Sequence, residues 1–394
     1  MIQSAGDACV LCMFRTLKHS MPALSKLLKR RNPGKNEMAD PTGGNVATDA
    51  RGLSEFERMR ERPSSRHDPI GCDFSLPLKG VFYPLGFTVE IATNSSDVLE
   101  AAEENWKSFD RVFNTPPVEL RIAVLDGHGS ECPPPPTCRG QRNMVMFVAG
   151  PNDFAVCDLT TGFASCWLSA RTVKNGAYLR YHFLDAMALL LIEALHLTPI
   201  HAACVAFHGR GLLLCGDSGA GKSSLSFACA RRGWTFVSDD ATFLIRGGKH
   251  NVVVGDPAHL HFRESATELF ADLKSHRLAP RINGEIAIEL TTANMPHMST
   301  ALQSPIAFLV FLNRQTSGPA SLQTFSKERA SAILEQVICY GEQHVRDAQK
   351  FSLHDLLRAG ALELRYSDLD SAVSCLEALV RARRTPTELP LTHK

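Results

Sequence analysis

The sequence predicts an α/β fold, and two features of its second half carry that prediction. From Ile200 onward, short apolar strands alternate with helical segments, which is the order that builds α/β domains. A glycine-rich stretch, Gly216–Ser223, lies between one such strand and the helix that follows it. Before Ile200 the strand and helix patterns are mixed and less regular, so we expect a smaller α+β region there.

The chain divides into four predicted segments. Residues 1–70 are rich in Lys, Arg, Pro, Gly and Ser and show no sustained helical or strand period, so we expect a disordered N-terminal extension. The α+β region spans 71–198, the α/β domain 199–384, and a tail 385–394. Met38 precedes a plausible fresh start, which leaves translation from Met1 or Met38 open.

Composition narrows the function classes. With 42 basic and 41 acidic side chains the net charge is +1, so charge gives no argument for nucleic acid or an anionic membrane as partner. The most apolar stretch, Ala186–Leu195, is too short to cross a bilayer and contains Glu193. The 12 cysteines are scattered, several of them in apolar runs. We therefore expect a cytoplasmic protein with unpaired thiols that binds neither nucleic acid nor membrane.

Local patterns predict the individual elements. In the α+β region we expect strand structure at Val81–Ala92, interrupted at Gly86, and strands at Leu120–Leu125 and Met144–Val148. We also expect a helix from its N-cap Asp97 to Phe109 and a helix at Asp185–His196. In the second half we expect strands at Ile200–Phe207, Leu212–Cys215, Trp234–Val237, Thr242–Ile245, Val252–Val254, Ile306–Leu312 and Leu362–Tyr366. Helices are expected at Lys222–Arg232, Lys327–Tyr340 and Asp368–Arg383.

The glycine-rich stretch fits the P-loop pattern G-x-x-x-x-G-K-[ST]. Glycines allow positive φ values that turn backbone N–H groups onto phosphate oxygens, and the dipole of the following helix adds to the anion site. Lys222 would reach the β- and γ-phosphates, and the Ser223 hydroxyl would ligate Mg²⁺. The predicted nucleotide-binding residues are Gly216, Asp217, Ser218, Gly219, Ala220, Gly221, Lys222, Ser223 and Ser224.

Asp239 and Asp240 form a second candidate element, because they end the strand after the P-loop helix. A carboxylate at that position can face the phosphates across the strand tips. Adjacent residues of an extended chain point in opposite directions, so one Asp could hold the metal while the other handles the acceptor proton. The competing interpretation is an Asp pair that caps a turn.

His201 is the third candidate, on the strand Ile200–Phe207. A lone His in an apolar strand is more often a core residue with a satisfied ring than a catalytic group. Arg263 could contact a phosphate or the acceptor, although a solvated surface Arg is the commoner role. His259 and His261 share one strand face but lack a further metal ligand. The sequence does not place Arg277, Arg281 or Arg314, which could reach the same cleft.

The stretch Ile200–Thr242 resembles the catalytic core of the bacterial HPr serine kinase/phosphorylase family. Both have a strand His, a short turn, the P-loop, a helix that ends in Arg-Gly and a strand that ends in Asp-Asp. His201 precedes Lys222 by twenty-one residues, as in that family. The resemblance implies a P-loop fold similar to that of phosphoenolpyruvate carboxykinase. It also implies that His201 and one of the two aspartates do acid/base work and that Ser223 and the other aspartate hold Mg²⁺. We expect Asp239, Asp240 and His201 as catalytic residues, and Ser223 and Asp240 as metal ligands.

Two departures concern the substrate. Ala202 stands where the family has Gly, and Arg281–Ile286 does not match its second Arg-Gly-x-Gly loop. The N-terminal region also differs from that of the HPr enzyme. The chain therefore resembles HPr-kinase-related proteins of unassigned substrate.

The expected activity is an ATP-dependent phosphotransfer from the γ-phosphate to a hydroxyl of a protein serine or a small molecule, with ATP and Mg²⁺ as cofactors. The alternative is an ATP-regulated binding module without transferase activity, in which nucleotide reshapes residues 71–198. Carboxykinase-like chemistry would need a Mn²⁺ site that the sequence does not assemble. Base specificity, a reverse phosphorylase reaction and homo-oligomerisation stay open.

Overall fold

The computed structural model describes residues 75–126, 133–248, 251–280, 284–338 and 341–382. The predicted N-terminal extension, the tail 385–394 and Arg281 lie outside these ranges. Within them the protein is a mixed α/β structure, which confirms the α/β part of the predicted fold class. No helix in the described ranges is long and apolar enough to cross a membrane.

The predicted α+β region forms a mixed seven-stranded sheet. Its strands are β1 (Leu78–Phe82), β2 (Val89–Thr93), β3 (Val118–Leu125), β4 (Thr137–Gln141), β5 (Met144–Gly150), β6 (Asp153–Asp158) and β7 (Phe163–Ser169). They are ordered β1-β2-β3-β7-β6-β5-β4. The pairs β2–β3 and β3–β7 are parallel and the other neighbours antiparallel. The helices of this region are α1 (Ser96–Trp106), α2 (Ala170–Lys174), α3 (Gly176–Leu179) and α4 (Ala186–Leu195).

The prediction of one strand over Val81–Ala92 is wrong. The chain folds back on itself there, and β1 and β2 pair antiparallel with Phe82 opposite Val89. Leu85 and Gly86 both have positive φ values, 52° and 85°, which produce the tight turn. Gly86 marked the interruption in the sequence, but the apolar run continues through the turn because Leu85 is itself buried, so the reversal of the chain was not predicted.

Two predicted helices have different ends. α1 has Ser95 at its N-cap position, and Asp97 lies in the first turn instead, with a carboxylate oxygen 2.8 Å from Lys174 Nζ. The predicted helix Lys327–Tyr340 ends at Leu334, followed by a short 3₁₀ turn, and Ile338 is extended. Branching at Cβ disfavours helix, which explains the early end. A further helix at Gln343–Leu356 was not predicted.

The second half forms an eight-stranded sheet and a small three-stranded one. The large sheet contains β8 (Leu197–Phe207), β9 (Arg210–Cys215), β10 (Thr235–Ser238), β11 (Ala241–Ile245), β12 (Val252–Gly255), β16 (Gln303–Arg314), β17 (Ser321–Phe325) and β18 (Ala361–Tyr366). The small sheet contains β13 (His259–Phe262), β14 (Ala279–Pro280) and β15 (Ile286–Thr291). The helices are α5 (Lys222–Arg231), α6 (Lys327–Leu334), α7 (Gln343–Leu356) and α8 (Leu369–Ala382). β11 and β12, predicted as neighbouring strands in the chain, pair antiparallel.

β9 lies inside the large sheet and leads directly into the glycine-rich loop. It pairs antiparallel with β8 and parallel with β16. Leu212, Leu213 and Leu214 are all completely buried, because both faces of the strand are covered. Burial of each such side chain is worth about 1.5–3 kcal/mol, so the loop begins from a firmly held strand end.

Candidate functional site

The glycine-rich loop joins the end of β9 to the start of α5. Gly219 and Gly221 have φ values of 87° and 96°, a region that side chains with Cβ rarely adopt. A Cβ at Gly221 would lie 2.5 Å from Tyr366 Oη. That hydroxyl donates a hydrogen bond of 3.0 Å to the Ala220 carbonyl. Glycine at 221 is therefore required by backbone conformation and by the close approach of β18.

Lys222, the first residue of α5, lies across the base of the loop. Its side chain is only 5% exposed. Nζ donates to the carbonyl of Gly216 at 2.9 Å and lies 3.4 Å from that of Asp217. It also lies 2.9 Å from His201 Nε2 and 3.5 Å from Asp240 Oδ1. One ammonium group thus joins the loop to two of the three residues singled out from the sequence.

Strand register explains how His201 reaches this position. β8 pairs with β11 so that His201 is opposite Ala241, the residue after Asp240. His201 Nδ1 lies 3.3 Å from Asp240 Oδ1. Because an ammonium group can only donate, Nε2 accepts from Lys222 and the ring proton is placed on Nδ1, facing the carboxylate. His201, Lys222 and Asp240 form one contiguous cluster.

Asp240 is in an unusual electrostatic environment. Its side chain lines the cleft and is 36% exposed. Removal from bulk water raises its pKa to about 7, and the charges of Asp239 and Glu285 add to this, against the lowering effect of Lys222. Such a displaced carboxyl pKa in a cleft is typical of functional sites.

Asp239, in the bend after β10, has partners different from those of Asp240. Its Oδ2 accepts a hydrogen bond of 2.8 Å from the His261 backbone N–H, and His261 Nδ1 lies 3.1 Å from the same oxygen. His261 Nε2 is 3.7 Å from Glu289 Oε2. Sequence reasoning missed this partner, because it treated His261 only as a weak metal ligand. Within the described ranges no group of three or more His, Cys, Asp or Glu side chains could hold a metal ion by itself.

Arg263, on the opposite side of the loop, is half exposed, and its Nη2 donates to Ser218 Oγ at 2.5 Å. Its Nε lies 3.9 Å from Glu285 Oε1. Of the other predicted arginines, Arg314 lines the same cleft. Arg263 therefore stands beside the glycine-rich loop, where an anionic group held by the loop would meet it.

A cleft of about 940 Å³ connects these residues. The predicted site residues along its wall are His201, Ser218, Gly219, Gly221, Lys222, Ser223, Ser224, Asp239, Asp240 and Arg263. The opposite wall comes from the first sheet's region and includes Trp106, Asp185 and Glu193. Ser223 and Asp240 line this cleft with a hydroxyl and a carboxylate, and Mg²⁺ prefers such oxygen ligands.

Comparison with known proteins bears on the same segment. The family model of the HPr Serine kinase C-terminal domain matches residues 194–264, which include the loop, His201, the Asp pair and Arg263. The resemblance drawn from the sequence is thus confirmed for this part of the chain, which is HPr-kinase-like.

A solved structure, the Hpr(Ser) kinase/phosphatase from Coxiella burnetii, is similar at 15% sequence identity, over 47% of this chain and 95% of that chain, with a TM-score of 0.28. A superposition at that score carries no structural argument. A search of curated proteins found no match.

Proposed function

We propose that the protein is an ATP-dependent phosphotransferase that moves the γ-phosphate to a hydroxyl of a protein serine or a small molecule. The observation that carries the proposal is the contact of Lys222 with both His201 and Asp240 at the end of the glycine-rich loop. Phosphoryl transfer requires three groups close together: a cation, an acid/base pair and a phosphate-binding loop.

Each group has a proposed role in binding. The backbone of residues 216–224 binds the phosphates, together with the N-terminus of α5. Lys222 exchanges its contacts to His201 and the Gly216 carbonyl for the β- and γ-phosphates, since an anion is a better partner for the ammonium group. Arg263, beside Ser218, neutralises phosphate charge from the opposite side.

Metal binding and proton transfer are divided between the two aspartates. Ser223 and Asp240 would hold Mg²⁺, which supplies charge neutralisation of the phosphate oxygens when bound. That leaves Asp239 to accept the acceptor's hydroxyl proton, with its carboxylate oriented by His261. The bond between the γ-phosphorus and the bridging oxygen breaks, a bond from the acceptor oxygen to phosphorus forms, and ADP leaves. His201, 3.3 Å from Asp240, keeps that carboxylate aimed at the loop.

The test separates binding from transfer. ATP binding is measured by calorimetry, and transfer by release of ADP and the position of labelled γ-phosphate. Lys222→Ala should weaken ATP binding by roughly 10- to 100-fold, because it removes charge-assisted hydrogen bonds worth about 1.5–3 kcal/mol. Asp239→Asn should bind ATP nearly normally yet lose ADP release. Exposed Lys107→Ala is the control.

The alternative, an ATP-regulated binding module, predicts a different result. Its ATP binding would depend on Lys222, but wild-type protein would release no ADP, and Asp239→Asn would change nothing. Tight ATP binding with that outcome contradicts the transferase. ATP binding that Lys222→Ala leaves unchanged contradicts both functions.

A further inference from the structure

The cleft wall opposite the glycine-rich loop has chemistry of its own. A turn of π-helix, Arg180–Asp185, leads into α4, and Asp185, Leu189 and Glu193 all line the cleft. These three residues are four apart in sequence, so they form a stripe on one face with a rise of about 6 Å from one to the next. We call this set the α4 stripe. π-Helical turns recur at functional sites, and the last residue of this one, Asp185, lines the cleft.

Glu193 is the most unusual member of the α4 stripe. It is 3% exposed and lines the cleft, yet its carboxyl makes no hydrogen bond to any residue in the described ranges. Arg246 is close enough to act on it electrostatically, but the guanidinium donates its hydrogen bonds to the backbone carbonyls of Glu193, Ala194 and Leu197. Burial raises the pKa of Glu193 to about 8. A largely buried carboxyl without a hydrogen bond is costly, and a ligand in the cleft that Glu193 lines would supply the missing donor.

Asp185 at the other end is held in a fixed orientation. Its Oδ1 accepts hydrogen bonds from Trp106 Nε1 at 2.9 Å and Asn105 Nδ2 at 2.7 Å. Burial raises its pKa to about 6, against the effect of these two donors. Both donors engage the same oxygen, and Asp185 lines the cleft.

The other acids on this wall already have cationic partners. Glu104 Oε2 lies 2.5 Å from Arg180 Nη1, and Asp256 Oδ2 lies 3.0 Å from His259 Nδ1. Asp185 and Glu193 are the two that lack a hydrogen-bonded cation among the described residues. A cation in the cleft would supply Asp185 and Glu193 with the partner that they lack, whereas an anion would supply neither.

We propose that the α4 stripe binds the ammonium group of the phosphate acceptor, which is a small hydroxyl-bearing amine. This rests on the proposed transferase function, because the hydroxyl of such a molecule must reach Asp239 and Asp240 across the cleft. The amine donates to the carboxyl of Glu193 or Asp185, and Leu189 covers its carbon skeleton. The phosphate goes to the hydroxyl, and the amine keeps its protons and its charge.

Matched ligands test the charge preference directly. One series is 2-amino-1,3-propanediol, glycerol and glycerate, and the other is glucosamine, glucose and glucuronate. Calorimetry at pH 7 in the presence of Mg²⁺ and a non-hydrolysable ATP analogue should show the cationic member binding at least about tenfold tighter than its neutral and anionic counterparts. Glu193→Gln and Asp185→Asn should each reduce that advantage, whereas the exposed Glu90→Gln should keep it.

Proton release gives a second readout. Binding of an ammonium group should ionise Glu193, so titrations in buffers of different ionisation enthalpy should show release of up to about one proton, which Glu193→Gln abolishes. A cationic member that binds no better than its counterparts in both series overturns the proposal. So does a Glu193→Gln protein that loses ATP affinity and keeps its amine preference, since the wall would then serve the nucleotide.

Transfer is followed separately, as a phosphomonoester signal in ³¹P spectra with ATP. Amine preference without any transfer supports the α4 stripe as a cation site and contradicts the transferase. Transfer to the neutral or anionic members at the same rate supports the transferase and contradicts the acceptor class.

Discussion

Oδ2 of Asp239 receives two contacts from a single residue: the backbone N–H of His261 at 2.8 Å and its ring Nδ1 at 3.1 Å. The side chain of Asp239 is only 12% exposed, so its orientation depends on this pair of contacts. Because β13 carries His261 and pairs with β15, the small sheet fixes the carboxylate from outside the loop. His261 is accordingly a positioning residue for Asp239.

His261→Ala should slow ADP release by roughly tenfold while leaving ATP affinity unchanged. A carboxylate that is no longer held in place stabilises the transition state less, by about 1.4 kcal/mol. The loss should appear in kcat rather than in the KM for ATP, because His261 acts on the orientation of Asp239. Rates and dissociation constants are measured side by side, with the exposed His276→Ala as control. A normal rate of ADP release in His261→Ala would show that Asp239 needs no such partner.

Gly221→Ala should abolish ATP binding and lower thermal stability. The new Cβ would lie 2.5 Å from Tyr366 Oη, and a φ of 96° adds about 1–2 kcal/mol of strain for an L-residue. In the double variant Gly221→Ala/Tyr366→Phe the clash with oxygen is removed and only the backbone strain stays. Its melting temperature should therefore recover in part. Equal losses in the single and double variants would mean that the hydroxyl contact does not limit residue 221.

Glu193 should make the protein less stable as pH rises. Its pKa is about 8 in the folded protein against 4.5 as the ordinary value, so the folded state binds more protons than the unfolded state between these limits. Stability must then fall as pH rises from about 4.5 to 8 and level off above that range. Glu193→Gln should flatten this dependence in urea titrations at pH 5, 7 and 9. An identical slope in wild type and variant contradicts the buried, protonated carboxyl.

Arg246→Met should destabilise the fold by about 3 kcal/mol. Its guanidinium caps the C-terminal end of α4 by donating to the carbonyls of Glu193, Ala194 and Leu197, and all three would lose a donor. Burial lowers its pKa to about 10, so the effect should persist at every pH below that value. Urea unfolding measures the change, with exposed Arg171→Met as control. A loss no larger than in the control would show that water replaces the cap.

The part of the site nearest the loop was predictable because it depends on local spacing. The rest of β8, a turn, β9 and the glycine-rich loop separate His201 from Lys222, and the strand after α5 places Asp240 beside both, so a linear pattern contains the geometry. His261 was not predictable as a partner of Asp239, since that contact depends on where a separate small sheet packs. The α4 stripe was not predictable from the sequence either. The helix over Ala186–Leu195 was predicted, but its apolar composition indicated core, and which of its residues face a cleft is decided by packing between distant segments.

The hydrogen bond from Tyr366 to Ala220 joins residues 146 positions apart in the chain. A chain that emerges from the ribosome in order presents the glycine-rich loop long before the strand that braces it. Since β18 also pairs with β16, which in turn flanks β9, the loop lacks its final support until β18 has been synthesised. Nascent chains should therefore bind nucleotide poorly, and C-terminally truncated products would be unable to compete with the finished protein for ATP.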